Sequence, residues 1–359
     1  MKFAFTADSH LGQIQYGIFA RVKDYELAFN SVAYEAARRG CDAILLGGDV
    51  FHTMRPPITA VETLRMFCQY FTHQGGKVLS IDGNHDNTSG GWPSICGAYP
   101  IGNTGYPYIL KGRDLQECRI YGIDGGSTPE ILSQLDRFAA SGVKSDVLAM
   151  HLPLTEMAGF PTPICAKDIA AKIKNTGVKL VLLGDIHDGQ EAVVDGIRFI
   201  YSGSPEVTAA DERPEKSFLV VTYDMGRLDV ERVPIKIREQ KFVKIESEKD
   251  IEDFSGTVTQ GPLYHIACDC AVQNVKERVS EIAGRAGALF RIIPIPREKT
   301  VQTTGYDRSG YRASLSEIVE ADFADNPDAK NIILESLGLP PETATEPAKK
   351  YLHRMGVRV

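Results

Sequence analysis

Five short fragments constrain this chain more than its overall make-up does. They are Asp8-Ser9-His10, Gly48-Asp49-Val50-Phe51-His52, Gly83-Asn84-His85-Asp86, the lone His151, and Gly184-Asp185-Ile186-His187. Most follow a run of four to six aliphatic or β-branched residues, such as Val78-Leu79-Ser80-Ile81. Such runs read as buried strands, so the fragments fall at strand C-terminal ends, where open α/β sheets gather their ligands. Of the eight histidines, four occupy these ends and a fifth, His52, lies just beyond one.

Taken in order, the chain predicts a strand over 2–7, a helix over 23–39 stopped by Gly40, and a strand over 42–46. After the breaker Pro56-Pro57 come a helix over 59–73 and a strand over 77–81. This βαβαβ start is typical of a layered α/β domain. Residues 88–118, rich in Gly, Pro and Tyr, read as loop with short strands. Within them Trp92 is either a packed loop anchor or a substrate-facing aromatic. A strand over 119–123, a helix over 130–141, a strand over 146–150, a helix over 169–175 and a strand over 178–183 follow. Alternating segments at 191–194, 197–201, 217–223 and 227–234, with a hairpin signal at Asp195-Gly196, predict a mainly antiparallel second sheet. It could pack face to face with the first.

Charge becomes dense over 236–250, marking a linker into a second unit, with strand–helix–strand expected over 263–270, 272–286 and 288–295. Residues 271–300 hold six basic side chains (Lys276, Arg278, Arg285, Arg291, Arg297, Lys299) against three acidic ones. That is either a solvated face or a phosphate-contacting surface. Two helical stretches near 315–323 and 329–337, followed by Pro340-Pro341 and a final piece over 346–355, carry apolar stripes too small for a core, so they dock on their own domain or on a partner. The expected division is 1–235, 236–300 and 301–359.

Composition narrows the function classes only a little. A formal charge of −7 argues against indiscriminate polyanion binding, yet bound divalent cations would add positive charge that this count omits. No apolar run approaches the roughly 20 residues of a membrane span, so no membrane role is expected. The N-terminus reads as a strand rather than a signal peptide. Seven scattered cysteines suit reduced thiols and a cytoplasmic location; Cys268-Asp269-Cys270 more simply alternates along a strand than binds metal.

The fragments combine oxygen and imidazole donors, a set that suits two divalent cations of the manganese, iron or zinc type over calcium. A shared carboxylate is needed, and Asp49 on the middle strand is the natural bridge. Paired cations activate water and stabilise the attacking and leaving oxygens of an in-line displacement, which points to phosphoester hydrolysis.

The series Ala7-Asp8-Ser9-His10-Leu11-Gly12, Gly48-Asp49-Val50-Phe51-His52 with Arg55-Pro56, and Gly83-Asn84-His85-Asp86 resembles the calcineurin-like metallophosphoesterases. More narrowly it resembles the SbcD-type nuclease subunits of double-strand-break repair complexes. Tyr201-Ser202-Gly203-Ser204-Pro205-Glu206 and Glu215-Lys216-Ser217 also fit. The resemblance is strong over 1–235 and weaker beyond.

It implies two packed mixed sheets flanked by helices, a small α/β capping domain and a C-terminal helical segment. It also implies that Asp8, His10 and His187 hold one metal, that Asn84 and His151 hold the other, and that Asp49 bridges. His85, not a ligand, would protonate the leaving 3′ oxygen or steady the developing charge, and His52 is a second candidate near the substrate. Manganese (with magnesium an alternative), 3′–5′ digestion of duplex ends, cutting of single strands, an SbcC-type coiled-coil ATPase partner and a homodimer complete the implied picture.

One departure stands out. The family has Gly-His-x-His where this chain has Gly184-Asp185-Ile186-His187. Asp185 as a ligand would leave two divalent ions one net positive charge instead of two, moving preference towards manganese or magnesium and away from zinc. Asp188 is a nearby, less favoured substitute. Other readings on the same scaffold are a small-molecule phosphatase or phosphodiesterase and a non-catalytic DNA-end or ATPase scaffold. The basic 271–300 unit and the tail favour the nuclease over the first, and intact Asn84, His85 and Asp49 favour it over the second.

Overall fold

The computed structural model describes residues 1–86, 91–160, 162–268 and 273–294. Its first sheet begins with β1 (Lys2–Thr6), β2 (Ala43–Gly47) and β3 (Lys77–Ile81), parallel and joined by α1 (Ala20–Arg38) and α2 (Ile58–His73). Side chains alternate across each strand. Phe3, Phe5 and Leu45 face inward, while Ala4, Ile44 and Leu46 pack under the two helices. Because both faces are buried, the strands read as unbroken apolar runs.

After the short α3 (Trp92–Ile95) and β4 (Tyr99–Pro100), the chain builds a second sheet. It contains β5 (Tyr108–Lys111), β6 (Glu117–Ile123), β7 (Val147–His151), β8 (Leu180–Gly184), β9 (Gln190–Val194) and β10 (Ile197–Tyr201), in the order β5-β6-β7-β8-β10-β9. α4 (Thr128–Ala140), the single turn α5 (Thr155–Ala158) and α6 (Ala166–Ile173) connect its strands. Leu135, Phe138 and Ile169 from α4 and α6 cover the outer face with Leu148, Val181 and Phe199. Between the sheets, Phe3, Phe5, Leu79 and Ile81 interleave with Ile120, Val147, Leu180 and Leu182. The result is the four-layer arrangement of two mixed sheets flanked by helices that the resemblance implied.

One expectation is corrected. The late segments do not form a separate antiparallel sheet. β11 (Ser217–Asp224) and β12 (Arg227–Pro234) return to the first sheet, where β11 lies antiparallel to β1, whereas β9 and β10 extend the second. The core of the second sheet, β6 to β8 with β10, is parallel. Hairpins look alike in sequence whichever sheet edge they complete. Trp92 proves to be a packed anchor: half-buried, it lies against the first core and donates Nε1–H to the Met54 carbonyl at 3.3 Å.

The segment read as a charged linker is ordered structure. β13 (Gln240–Ile245) and α7 (Glu248–Thr257, with a Ser247–Asp250 capping box) join β14 (Leu263–Cys268), α8 (Val275–Arg285) and β15 (Leu289–Pro294). They form a three-stranded parallel sheet whose core includes Ile251, Phe254, Ile266 and Val279. This small α/β layer is tied to the main body at two points. Arg238 grips both Asp24 oxygens at 2.7 Å, and the Arg291 guanidinium lies 3.8 Å over the Tyr16 ring. Asp24 also receives Arg21, a fully buried arginine whose other partners are Gln15, Glu206 and the Val207 carbonyl. Within this layer Arg278 pairs with Glu248 and Arg285 with Glu281, so part of its basic surplus is already answered. Arg297, Lys299, the tail helices expected over 315–323 and 329–337 and the final piece over 346–355 lie outside the described residues.

Candidate metal centre

The C-terminal ends of β1, β2, β3, β7 and β8 meet at one rim. There the backbone leaves ordinary strand geometry: Asp8, His10, Asp49 and Asp185 have φ of 57°, 43°, 49° and 94°. Non-glycine residues in this left-handed region are uncommon, and strained positions of this kind cluster at functional sites. The loops are cross-tied by backbone bonds, Asp8 N–H to the Gly48 carbonyl and His10 N–H to the Asp49 carbonyl, each at 3.0 Å. Gly83 allows the third loop to touch the second, since a Cβ there would lie 2.2 Å from Asp49 N.

Asp86, fully buried, accepts N–H bonds from Val50, Phe51 and Gly83 at 3.0–3.2 Å. It locks the loops bearing Asp49 and Asn84 to each other. Sequence reasoning noted Asp86 only as part of the Asn-His-Asp string.

All nine expected residues come to this rim. His151 is the most informative. Its Nδ1–H donates to the Gly47 carbonyl at 2.8 Å, leaving an Nε2 lone pair that is buried without a hydrogen-bond partner. That atom faces Asp49 Oδ2 at 3.5 Å, Asp185 Oδ1 at 3.7 Å and Asp8 Oδ1 at 3.9 Å. A lone pair opposite three carboxylates is satisfied by a divalent cation or, with no metal bound, by a proton on Nε2. Burial opposes charging His151, yet Asp49, Asp8 and Asp185 outweigh it and push its pKa up to about 10.

Burial raises Asp8 to about 6 against the pull of His151 and His187. Burial would raise Asp49 too, but His151 and the His85 amide hold it well below the usual carboxylate range.

Beside this cluster, His10 and His187 bring their Nε2 atoms within 3.2 Å of each other. Burial, then His187, pushes His10 down to about 3, so its imidazole is neutral and able to ligate. Donor atoms of Asp8, His10 and His187 lie within 4.8 Å of one another, and so do those of Asp8, Asp49 and His151. Asn84 reaches Asp185 Oδ1 through Nδ2 at 3.3 Å. Asp188 turns elsewhere, accepting the Arg213 N–H at 3.0 Å. The mixed oxygen and nitrogen donors, with an orphaned buried imidazole among them, fit divalent metals.

His85 stands at the edge, 42% exposed at its side chain, with its N–H on Asp49 Oδ1 at 2.8 Å. Its Nδ1 bonds the His52 carbonyl at 2.5 Å, and Nε2 lies 3.9 Å from Asp49 Oδ2. The His52 ring is 5.9 Å from that of His85 and 5.6 Å from that of His10.

A carboxylate behind His187 was missed. Glu212 Oε1 lies 2.9 Å from His187 Nδ1, and Lys216 Nζ is 2.5 Å from Oε2. Burial would raise Glu212, but His187, Lys216 and Thr208 hold it at about 2. The sequence signal available was Glu215-Lys216-Ser217, which marks the segment but not the partner. A cleft of about 450 Å³ adjoins His187 and Asp185, with Met157, Phe160 and Arg213 on its walls.

A family model described as calcineurin-like phosphoesterase matches residues 1–189, more than half of the chain. The chain is 28% identical over 257 residues to the DNA double-strand break repair protein Mre11 of Haloferax volcanii, an alignment covering 68% of this chain and 54% of that protein. It is 29% identical over 282 residues to the protein of the same name from Methanosarcina mazei, covering 72% and 43%. To that of Halobacterium salinarum it is 25% identical over 352 residues, covering 93% and 85%. It thus spans about half the length of the first two. With the family match over β1 to β8 and a rim of metal-suited donors at their ends, this chain belongs to the calcineurin-like phosphoesterase family.

Proposed function

We propose that this chain is a manganese-dependent DNA nuclease subunit that processes double-strand breaks, digesting duplex ends 3′ to 5′ and cutting single strands. The observation that carries the reading is the His151 Nε2 lone pair buried among Asp8, Asp49 and Asp185, with His10 and His187 alongside. The names of the similar proteins, which place them in DNA double-strand break repair, supply the substrate class.

Asp8, His10 and His187 would hold one cation, Asn84, His151 and Asp185 the other, and Asp49 would bridge. Two divalent ions bound there would supply Lewis acidity and neutralise phosphate charge for an in-line displacement. The chain's own residues do the rest. Nδ1–H of His85 stays on the His52 carbonyl, so the ring is held with Nε2 at the metal rim, 3.9 Å from Asp49 Oδ2. In its imidazolium form it gives the Nε2 proton to the departing 3′ oxygen. His52 flanks the same approach and steadies the phosphate.

The small α/β layer would act as a DNA-contacting cap, with exposed ion pairs such as Arg278–Glu248 weak enough for phosphates to exchange into. Leu27, Tyr34, Met66 and Tyr70, exposed on α1 and α2, support a homodimer through that face. Residues 301–359 would dock an SbcC-type coiled-coil ATPase. Among the described residues no helix is long and apolar enough to cross a membrane. A cytoplasmic location is part of the proposal and rests on DNA as the substrate.

The test is cleavage of end-labelled linear duplex and single-stranded DNA with manganese, magnesium or chelator. Manganese-dependent cleavage should fall by about 10²–10⁴-fold in His85→Ala, with metal binding retained. Silence on DNA together with hydrolysis of small phosphate esters would replace this reading with the small-molecule one.

A further inference from the structure

His10 and His187 present Nε2 atoms to a common point, and each can serve a cation only when its proton sits on the other ring nitrogen. For His151 and His85 that other nitrogen meets a backbone carbonyl, of Gly47 and His52 respectively. For His187 it meets a carboxylate. Nδ1 lies 2.9 Å from Glu212 Oε1 and 2.6 Å from Thr208 Oγ1, and the Thr208 hydroxyl itself donates to Glu212. Thr208 has its proton committed to Glu212, so Nδ1 must be the donor, and in the neutral ring the lone pair sits on Nε2. A carbonyl orients an imidazole; a carboxylate also makes it a stronger donor to metal.

The carboxylate is itself held. Glu212 Oε2 accepts the Thr208 N–H at 3.0 Å and Lys216 Nζ at 2.5 Å. Lys216, with a side chain only 2% exposed, also reaches the His187 carbonyl and Ser204 Oγ, each at 3.1 Å. One ammonium therefore grips both the backbone of His187 and the group behind its ring. The segment carrying Thr208, Glu212 and Lys216 is the connection from β10 to β11, where the chain crosses from the second sheet back to the first.

We propose that Glu212, held by Lys216, is a positioning residue that strengthens His187 as a ligand and makes the Asp8–His10–His187 position the tighter of the two. This rests on the two-metal reading above. The test is calorimetric titration of chelator-stripped protein with manganese, for wild type, Glu212→Gln and the double variant Glu212→Gln/Lys216→Met. Glutamine keeps an acceptor for Nδ1–H but carries no charge. The double variant leaves no buried ammonium unpaired, so its fold loss is separated from its metal loss.

The expected result is two binding events in wild type, the tighter weakened about 10–100-fold in both variants, and the weaker one unchanged. Two events of wild-type affinity in the double variant would overturn the inference while leaving the two-metal reading intact. So would weakening in the single variant that the double variant reverses, since that marks a merely structural role. No manganese bound by wild type would overturn the two-metal reading itself.

Discussion

At the scale of single residues, one hydrogen bond decides what His151 can be. With Nδ1–H committed to the Gly47 carbonyl, Nε2 points at Asp8, Asp49 and Asp185, where it binds a divalent cation or, without one, a proton. Asp185 takes part in that arrangement, whereas Asp188 is occupied with the Arg213 amide. The choice between the two rests on backbone direction: Asp185 sits at φ 94° with its N–H on Asp8, which turns its side chain towards Asn84 and His151. Replacing this hard oxygen donor by an imidazole should move metal preference. Asp185→His is expected to raise affinity for zinc relative to manganese by roughly tenfold, read from competition titrations. An unchanged ratio would remove Asp185 from the ligand set.

At the scale of elements, the site depends on how tightly the strand ends approach one another. Gly48 turns the chain out of β2 with φ +93°, and a Cβ there would lie 2.4 Å from His151 Nδ1 and 2.8 Å from the Gly83 backbone. Gly48→Ala should therefore destabilise the fold by more than the about 1–3 kcal/mol of a left-handed alanine alone, and should weaken manganese binding. Gly226→Ala, at φ +86° in the β11–β12 turn with open space around it, carries the backbone strain without the clash. Urea unfolding of the two variants gives the difference, and equal losses would show that the strand ends have room to part. Legibility in the sequence follows the same division. Strands buried on both faces announce themselves as apolar runs, so β1, β2, β3, β7 and β8 were readable. β13 was not: as an edge strand it places Lys241 and Lys244 among half-buried or exposed residues, buries only Ile245 fully, and looks like linker.

At the scale of the whole molecule, the small α/β layer meets the main body through charged and aromatic contacts that respond to pH. His265, buried in β14, accepts Arg291 Nε–H on Nδ1 at 2.6 Å and bonds Gln240 Oε1 through Nε2 at 2.6 Å. The rings of Tyr16 and Phe242 flank it. Burial, then Arg291 and Arg21, lowers its pKa to about 4. Between that value and the unfolded value near 6.5, the folded chain binds fewer protons than the unfolded one. Its contribution is thus present above about pH 6.5 and lost as pH falls towards 4, by up to about 3 kcal/mol. Hydrogen exchange over β13 to β15 should show the loss, and His265→Gln should flatten it. An acid slope identical in the variant would assign the pH response to other groups.

The sequence by itself determined the layered α/β class, the strand-end placement of Asp8, His10, Asp49, Asn84, His85, His151, Asp185 and His187, and the oxygen-rich donor chemistry. Buried parallel strands and ligand-type side chains both leave a local signature. Only the tertiary structure decided that β11 and β12 rejoin the first sheet, that Arg21 is fully buried between Asp24 and Glu206, and that Glu212 stands behind His187. Each depends on groups that meet across many residues of chain or across a sheet boundary. No periodicity or spacing encodes such a meeting; the packing of the two sheets brings it about.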